Sequence, residues 1–244
     1  MNLKPEPESP TGLPPRLVTV AGPPTSGKTS VLRHALRHLR GQGRRIGVAK
    51  FDCLTTSDAQ AFREDGLEAI QGLSGSLCPD HFFAGNLPDV LEWGARRNLD
   101  LLVTESAGLC NRCSPHIREQ LAVCVLDHLG GIQLPTKVGP MLRRADLVVV
   151  TRGDLVSQAE REVFAIRVRH NAPNARVIPV NGLTGQGAAE LSMLLWDLAK
   201  PARAPEDSRL RFSMPAAVCS FCLGETSLAR DHQIGNLKRM EIPA

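Results

Sequence analysis

Tyrosine is absent from this 244-residue sequence, and its aromatics amount to two Trp and seven Phe. Stacking of bases on aromatic platforms, a common grip on single-stranded nucleic acid, therefore fits poorly, and no nucleic-acid partner is expected. No strong excess of one charge makes up for this. The net charge is +4 with acids and bases interleaved, and the basic run over 33–45 reads as the solvated face of a helix and the turn after it. No apolar stretch approaches the length of a membrane span. Residues 1–15 are rich in Pro and Glu and carry no apolar leader core, so a disordered tail and a cytoplasmic location are expected. Seven cysteines in such a chain argue for metal or redox chemistry rather than a disulfide framework.

What is present is alternation. Short, near-continuous apolar runs at 17–21, 46–51, 101–104, 121–126, 147–151 and 176–180 read as strands. Helical spacing occupies 30–39, 56–70, 88–97, 157–169 and 188–199. Strands apolar on both faces, separated by helices, predict an α/β fold: a doubly wound, mostly parallel sheet with ligands at the strands' carboxyl ends. A boundary is expected at the Pro-rich 201–205, which divides a 16–200 nucleotide-binding domain from a 201–244 linker and small cysteine-containing, β-rich appendage.

The first strand runs into Gly22-Pro23-Pro24-Thr25-Ser26-Gly27-Lys28-Thr29, and Ser30 continues into a helix. This is a phosphate-binding loop (P-loop) in strand–loop–helix context. Polyphosphate needs inward-pointing backbone N–H groups and unobstructed space, which Gly22 and Gly27 provide, while the helix N-terminus adds a favourable dipole. Lys28 is placed to reach the terminal phosphates and Thr29 to ligate Mg²⁺. The motif alone does not separate GTP from ATP, or hydrolysis from phosphoryl transfer.

Four other strand ends narrow the choice. Thr151-Arg152-Gly153-Asp154 puts a carboxylate where it can accept hydrogen bonds from guanine N1–H and its amino group, with the Arg152 stem over the base. Asn181-Gly182-Leu183 opens a loop suited to backbone contact with the base edge. Asp52 and Glu105 follow the second and third strands, beside the expected Mg²⁺, where either can hold the ion or position the attacking water. Each has a plainer reading: Asp154 as a helix cap and Asp52 as a turn residue.

The P-loop, the segment 52–59, Thr104-Glu105-Ser106-Ala107-Gly108, Pro135-Thr136-Lys137-Val138-Gly139-Pro140, Arg144-Ala145-Asp146-Leu147 and Leu183-Thr184-Gly185-Gln186-Gly187 together resemble the HypB/UreG-type P-loop GTPases of metalloenzyme maturation, in the SIMIBI class. The resemblance spans residues 17 to about 198. It implies a homodimeric GTPase that gates metal delivery to a client metalloenzyme while hydrolysing GTP slowly. Lys28 and Thr29 would serve phosphate and Mg²⁺, Asp52 and Glu105 the switches, and Asp154 the guanine. The sequence departs from the pattern in Thr151-Arg152-Gly153-Asp154, where the family has Asn-Lys-x-Asp. It departs again in Cys78-Pro79-Asp80-His81, where the urease-type proteins have Cys-Pro-His. No His-rich N-terminal metal store is present.

Two C-x-x-C pairs, Cys110/Cys113 and Cys219/Cys222, are candidate ligands for Ni or Zn, or for an iron–sulfur cluster, as one four-thiolate site or as two half-sites. Cys78 and His81, with Cys53, are candidate transit ligands, and His116 is a conceivable one. Cys124 reads as core. Three rivals stand beside the GTPase reading: an ATP-dependent small-molecule kinase, an assembly module docking a partner enzyme, and an iron–sulfur carrier.

Overall fold

The computed structural model describes residues 13–54, 56–108, 114–212, 224–235 and 237–243. The apolar runs form β1 (Arg16–Ala21), β2 (Ile46–Asp52), β4 (Leu101–Ser106), β5 (Leu121–Asp127), β6 (Leu147–Thr151) and β7 (Arg176–Pro179). Two more strands complete the sheet among the described residues: β3 (Glu68–Leu73) and the short β8 (Lys200–Pro201). The order is β3-β2-β4-β1-β5-β6-β7, all parallel, with β8 antiparallel on the start of β1.

Period-two alternation sorts each strand between two faces. Val18, Val20, Val48 and Val103 lie on one face with Val31, Leu32 and Leu36 of α1 (Lys28–Gly41) and Leu191 and Leu195 of α7 (Ala188–Leu198). Leu17, Phe51 and Leu102 lie on the other with Phe82, Phe83, Leu87 and Trp93 of α3 (Pro79–Arg96). Further along that face, Cys124, Leu126 and Val148 pack with Met141 of α5 (Gly139–Arg143) and with Phe164 and Val168 of α6 (Gln158–Asn171).

Two elements differ from the sequence expectation. The stretch 56–70 is not one helix: α2 (Asp58–Glu64) ends at Gly66, whose φ of 74° favours glycine, and β3 follows. The helix expected over 88–97 starts nine residues earlier, at Pro79, whose missing N–H costs nothing in a first turn. Pro88 sits in its interior. α4 (Leu134–Lys137) and α5 divide the Pro135–Pro140 segment between them.

Described residues on both sides of 213–223 pack on the main body. Leu210 and Leu228 are buried in the α3-side core, and Leu237, Met240 and Ile242 pack on it. Asn86, buried on α3, donates to Lys238 O at 2.9 Å and accepts from Met240 N–H at 2.8 Å.

Candidate functional site

β1 and β4 are neighbours, and their carboxyl ends deliver the P-loop and Glu105 to one place. Thr25 and Gly27 take left-handed φ values of 60° and 86° to turn the chain into α1. No side chain caps α1 and no acid stands in its first turn, so its leading N–H groups face a cavity of about 370 Å³ with the dipole unneutralised. Two close backbone approaches hold the loop. A Cβ on Gly22 would stand 2.2 Å from Val125 O, and one on Gly108 would stand 2.0 Å from Gly22 O.

Of the expected phosphate-loop residues, Pro24, Thr25, Gly27, Lys28, Thr29 and Ser30 line the cavity, and Asp52, Glu105 and Arg152 join them. Gly22, Pro23 and Ser26 are not among its lining residues. Lys28 Nζ donates to Gly22 O at 2.9 Å and Pro23 O at 2.8 Å, and lies 3.5 Å from Ala107 O. Burial lowers its pKa to about 8, a drop that Glu105 opposes. Ser26 Oγ is buried without a partner. Its carbonyl accepts from Thr151 Oγ1 at 2.8 Å, which ties β6 to the loop.

Lys50 and Asp58 also line the cavity, and sequence reasoning missed both as site residues. Lys50 is paired in register with Glu105 across β2 and β4. Its Nζ lies 2.6 Å from Glu105 Oε1, 2.7 Å from Asp58 Oδ2 and 3.9 Å from Asp52 Oδ2. Thr29 Oγ1 lies 2.8 Å from the same Glu105 oxygen and 2.9 Å from the same Asp58 oxygen. Burial pulls the Lys50 pKa down, but the Glu105 and Asp58 carboxylates reverse this and leave it raised. Asp58 is likewise penalised by burial, yet its bond to Lys50 leaves its pKa lowered. The second Glu105 oxygen, Oε2, is buried with no hydrogen-bond partner.

The pattern of the CobW/HypB/UreG nucleotide-binding domain matches residues 16–179. The chain belongs to that family. An uncharacterized protein of Methanocaldococcus jannaschii is 42% identical over 93% of this chain and 96% of its own length, so most of the segment beyond Pro201 is shared with it. Urease accessory protein UreG 2 of a Bradyrhizobium strain is 31% identical over 73% of this chain and 88% of its own. The crystal structure of hydrogenase maturation factor HypB from Archaeoglobus fulgidus superposes with a TM-score of 0.60 at 22% identity, covering 74% of this chain and 88% of that one, a likeness of fold.

In this CobW/HypB/UreG chain Asp154, Asn181, Gly182 and Leu183, expected to read the base, are not among the residues lining the phosphate cavity, whereas Arg152 is. Asp154 is exposed in a turn past β6. Arg152, at φ 57°, pairs with Asp127. Asn181 Oδ1 accepts from the N–H of Leu183 and Thr184 at 2.8 and 3.0 Å, and a Cβ on Gly182 would stand 3.1 Å from Ser30 Cβ. The 181–187 loop therefore lies against the start of α1.

The candidate transition-metal ligands divide. Cys110, Cys113, Cys219 and Cys222 lie outside the described residues. Cys78 caps α3 and His81 is in its first turn, both half-buried, and burial lowers the His81 pKa. Among the described residues no three His, Cys, Asp or Glu side chains converge on a metal position. His116 does not serve as a ligand as it stands. It is fully buried, with Nδ1 3.0 Å from Thr19 Oγ1 and Nε2 3.0 Å from Met141 O, and burial lowers its pKa to about 4. Cys124 is enclosed in the core, its thiol pushed up to about 12 by burial. Asp80, on α3, accepts from Ser106 Oγ and leaves Oδ2 buried and unpartnered; burial raises its pKa to about 6. Among the described residues no helix is long and apolar enough to cross a membrane.

Proposed function

We propose that this chain binds GTP with Mg²⁺ at the P-loop, hydrolyses it slowly, and uses the nucleotide state to hold or release a transition metal for a client metalloenzyme. The observation that carries the gating is the reach of Lys28. Its ammonium bonds the loop's own carbonyls and also lies against Ala107 O, three residues before Cys110. A polyphosphate is a stronger partner than three carbonyls, because both members of the pair are charged. Drawing Lys28 to phosphate loosens Ala107 and Gly108, and with them the approach to the first C-x-x-C pair.

Thr29, Asp52 and Glu105 are suited to Mg²⁺, and the unpartnered Glu105 Oε2 is the oxygen that fits such an ion. When bound, the ion neutralises charge that builds on the transferred phosphoryl group. The chain's own share is to position: backbone N–H groups of 22–29 orient the phosphates, and Asp52 or Glu105 orients water. Asp154 reads guanine, with Asn181, Gly182 and Leu183 along the base edge.

The two C-x-x-C pairs are proposed to form one site. The segments that flank them pair with one another: Arg118 N–H donates to Arg209 O at 2.8 Å, Arg211 N–H to His116 O at 2.8 Å, and Leu210 N–H to Thr226 O at 2.8 Å. Cys113 adjoins Ser114 and Cys222 is two residues from Gly224. The relatives named as urease accessory proteins support a metalloenzyme client; a homodimer and a cytoplasmic setting belong to the same proposal.

The test is metal retention. Anaerobically purified chain loaded with Ni²⁺ or Zn²⁺ is dialysed with GDP or with a non-hydrolysable GTP analogue. Retention is expected to differ between the two nucleotides and to lose that difference in Cys110→Ser/Cys113→Ser. Equal retention in both nucleotides would overturn the gating.

A further inference from the structure

Lys50 has no part in the nucleotide reading above, yet it is almost fully enclosed, at 3% exposure, in the middle of the carboxylates that reading assigns to Mg²⁺. The sheet register puts it there. Lys50 and Glu105 are cross-strand partners, and Asp52, two residues on, shares the Lys50 face of β2. Asp58 arrives from the first turn of α2.

We propose that the Lys50 ammonium is a tethered stand-in for the divalent cation, which holds Asp52, Asp58 and Glu105 in place and makes divalent-ion binding conditional on nucleotide. The inference rests on the Mg²⁺-nucleotide site proposed above. Its argument is the identity of the shared atoms. Lys50 Nζ uses Glu105 Oε1 and Asp58 Oδ2, and Thr29 Oγ1, with one proton to share, lies within hydrogen-bond distance of these same two oxygens. The ammonium, the hydroxyl and the two carboxylate oxygens form one closed ring. An ion ligated by Thr29 Oγ1 and Glu105 Oε2 sits at the edge of that ring, where it meets a like charge held by the same carboxylate. Lys50 is fixed to a central strand and cannot leave the cavity; it can only turn. A second anion within reach, such as a polyphosphate, lets both cations stay, because it offers the ammonium new oxygens when the ion takes the old ones. Glu105 Oε2, buried and unpartnered, is the coordination capacity the lysine leaves unused.

A plain structural ion pair would use the same distances, so the test reads metal rather than stability. Mn²⁺ is titrated into the full, nucleotide-free chain and followed by electron paramagnetic resonance. Wild type is expected to leave Mn²⁺ free until nucleotide is added. Lys50→Met is expected to take up one ion per chain without nucleotide, on the order of tenfold or more tighter than wild type. Lys50→Arg, which keeps the charge, is expected to behave as wild type. If Lys50→Met fails to fold with three unbalanced carboxylates, Lys50→Met/Asp58→Asn relieves the repulsion and serves in its place. Mn²⁺ uptake by nucleotide-free wild type as tight as that of the lysine-free variant would overturn the proposal. The arms without nucleotide give this answer even for a chain that binds no nucleotide, so the two readings fail separately.

Discussion

Gly108 lies so close to Gly22 that a Cβ on the former would stand 2.0 Å from the carbonyl oxygen of the latter. The segment that follows β4 is thus stacked backbone-on-backbone against the first residue of the P-loop. Gly108 also holds a φ of 62°, which side chains disfavour. Gly108→Ala is expected to destabilise the chain by about 1–3 kcal/mol, since the neighbour is backbone and cannot rotate away. Nucleotide affinity should fall with it, by about tenfold for each 1.4 kcal/mol lost at the loop. Urea denaturation and nucleotide titration measure the two effects. Unchanged values in both would mean that the stacked backbones do not constrain the loop.

Lys28 gives nucleotide binding a pH signature. In the nucleotide-free chain its pKa is lowered to about 8 by burial. Phosphate favours the charged form, so the bound pKa is higher. Between the two values the free chain has lost a proton that the complex keeps, and binding takes up a proton. Affinity is expected to be flat below pH 7 and to fall by up to about tenfold per unit above pH 8. Calorimetry in buffers of different ionisation enthalpy detects the uptake, and a pH-independent affinity from pH 7 to 10 would contradict it.

Asp80 is a buried cost at neutral pH. Its pKa is raised to about 6, so the folded chain binds more protons than the unfolded one between the ordinary carboxylate range and pH 6. Stability from this group therefore falls as pH rises through that window and stays low above it. Asp80→Asn keeps an acceptor for Ser106 and removes the charge. It is expected to stabilise the chain at pH 8 by up to about 3 kcal/mol, with the gain shrinking toward pH 4. Thermal unfolding at both pH values checks this.

If the two C-x-x-C pairs share one metal, either double substitution removes it. Cys110→Ser/Cys113→Ser and Cys219→Ser/Cys222→Ser are each expected to abolish the same single equivalent of Zn²⁺, because two thiolates alone do not close a tetrahedral site. Elemental analysis of anaerobically purified chain decides, and loss of half the metal in each variant would show two separate sites.

The parts of the site written in contiguous residues were legible in the sequence. Gly22 to Thr29 announces its own geometry, and Asp52 and Glu105 are marked by their place at strand ends. Lys50 was not legible, because its partners Asp58 and Glu105 lie 8 and 55 residues away and only the β2–β4 register sets them together. The strand β3 was hidden because residues 56–70 read on as one helix past Gly66. The start of α3 was missed because two prolines, Pro79 and Pro88, offer themselves as first-turn residues, and burial of Phe82, Phe83 and Leu87 against the sheet decides for the earlier one. The packing of the C-terminal segment depends on Asn86, an amide inside a helix that carries no sequence signal of its role.

The most direct test of the nucleotide reading is a calorimetric titration of GTP and ATP, with Mg²⁺, into the full chain and into Lys28→Ala. The account predicts one GTP per chain, bound about tenfold or more tighter than ATP, and a loss of that binding in Lys28→Ala. A Lys28→Ala chain that binds GTP as tightly as wild type would contradict it.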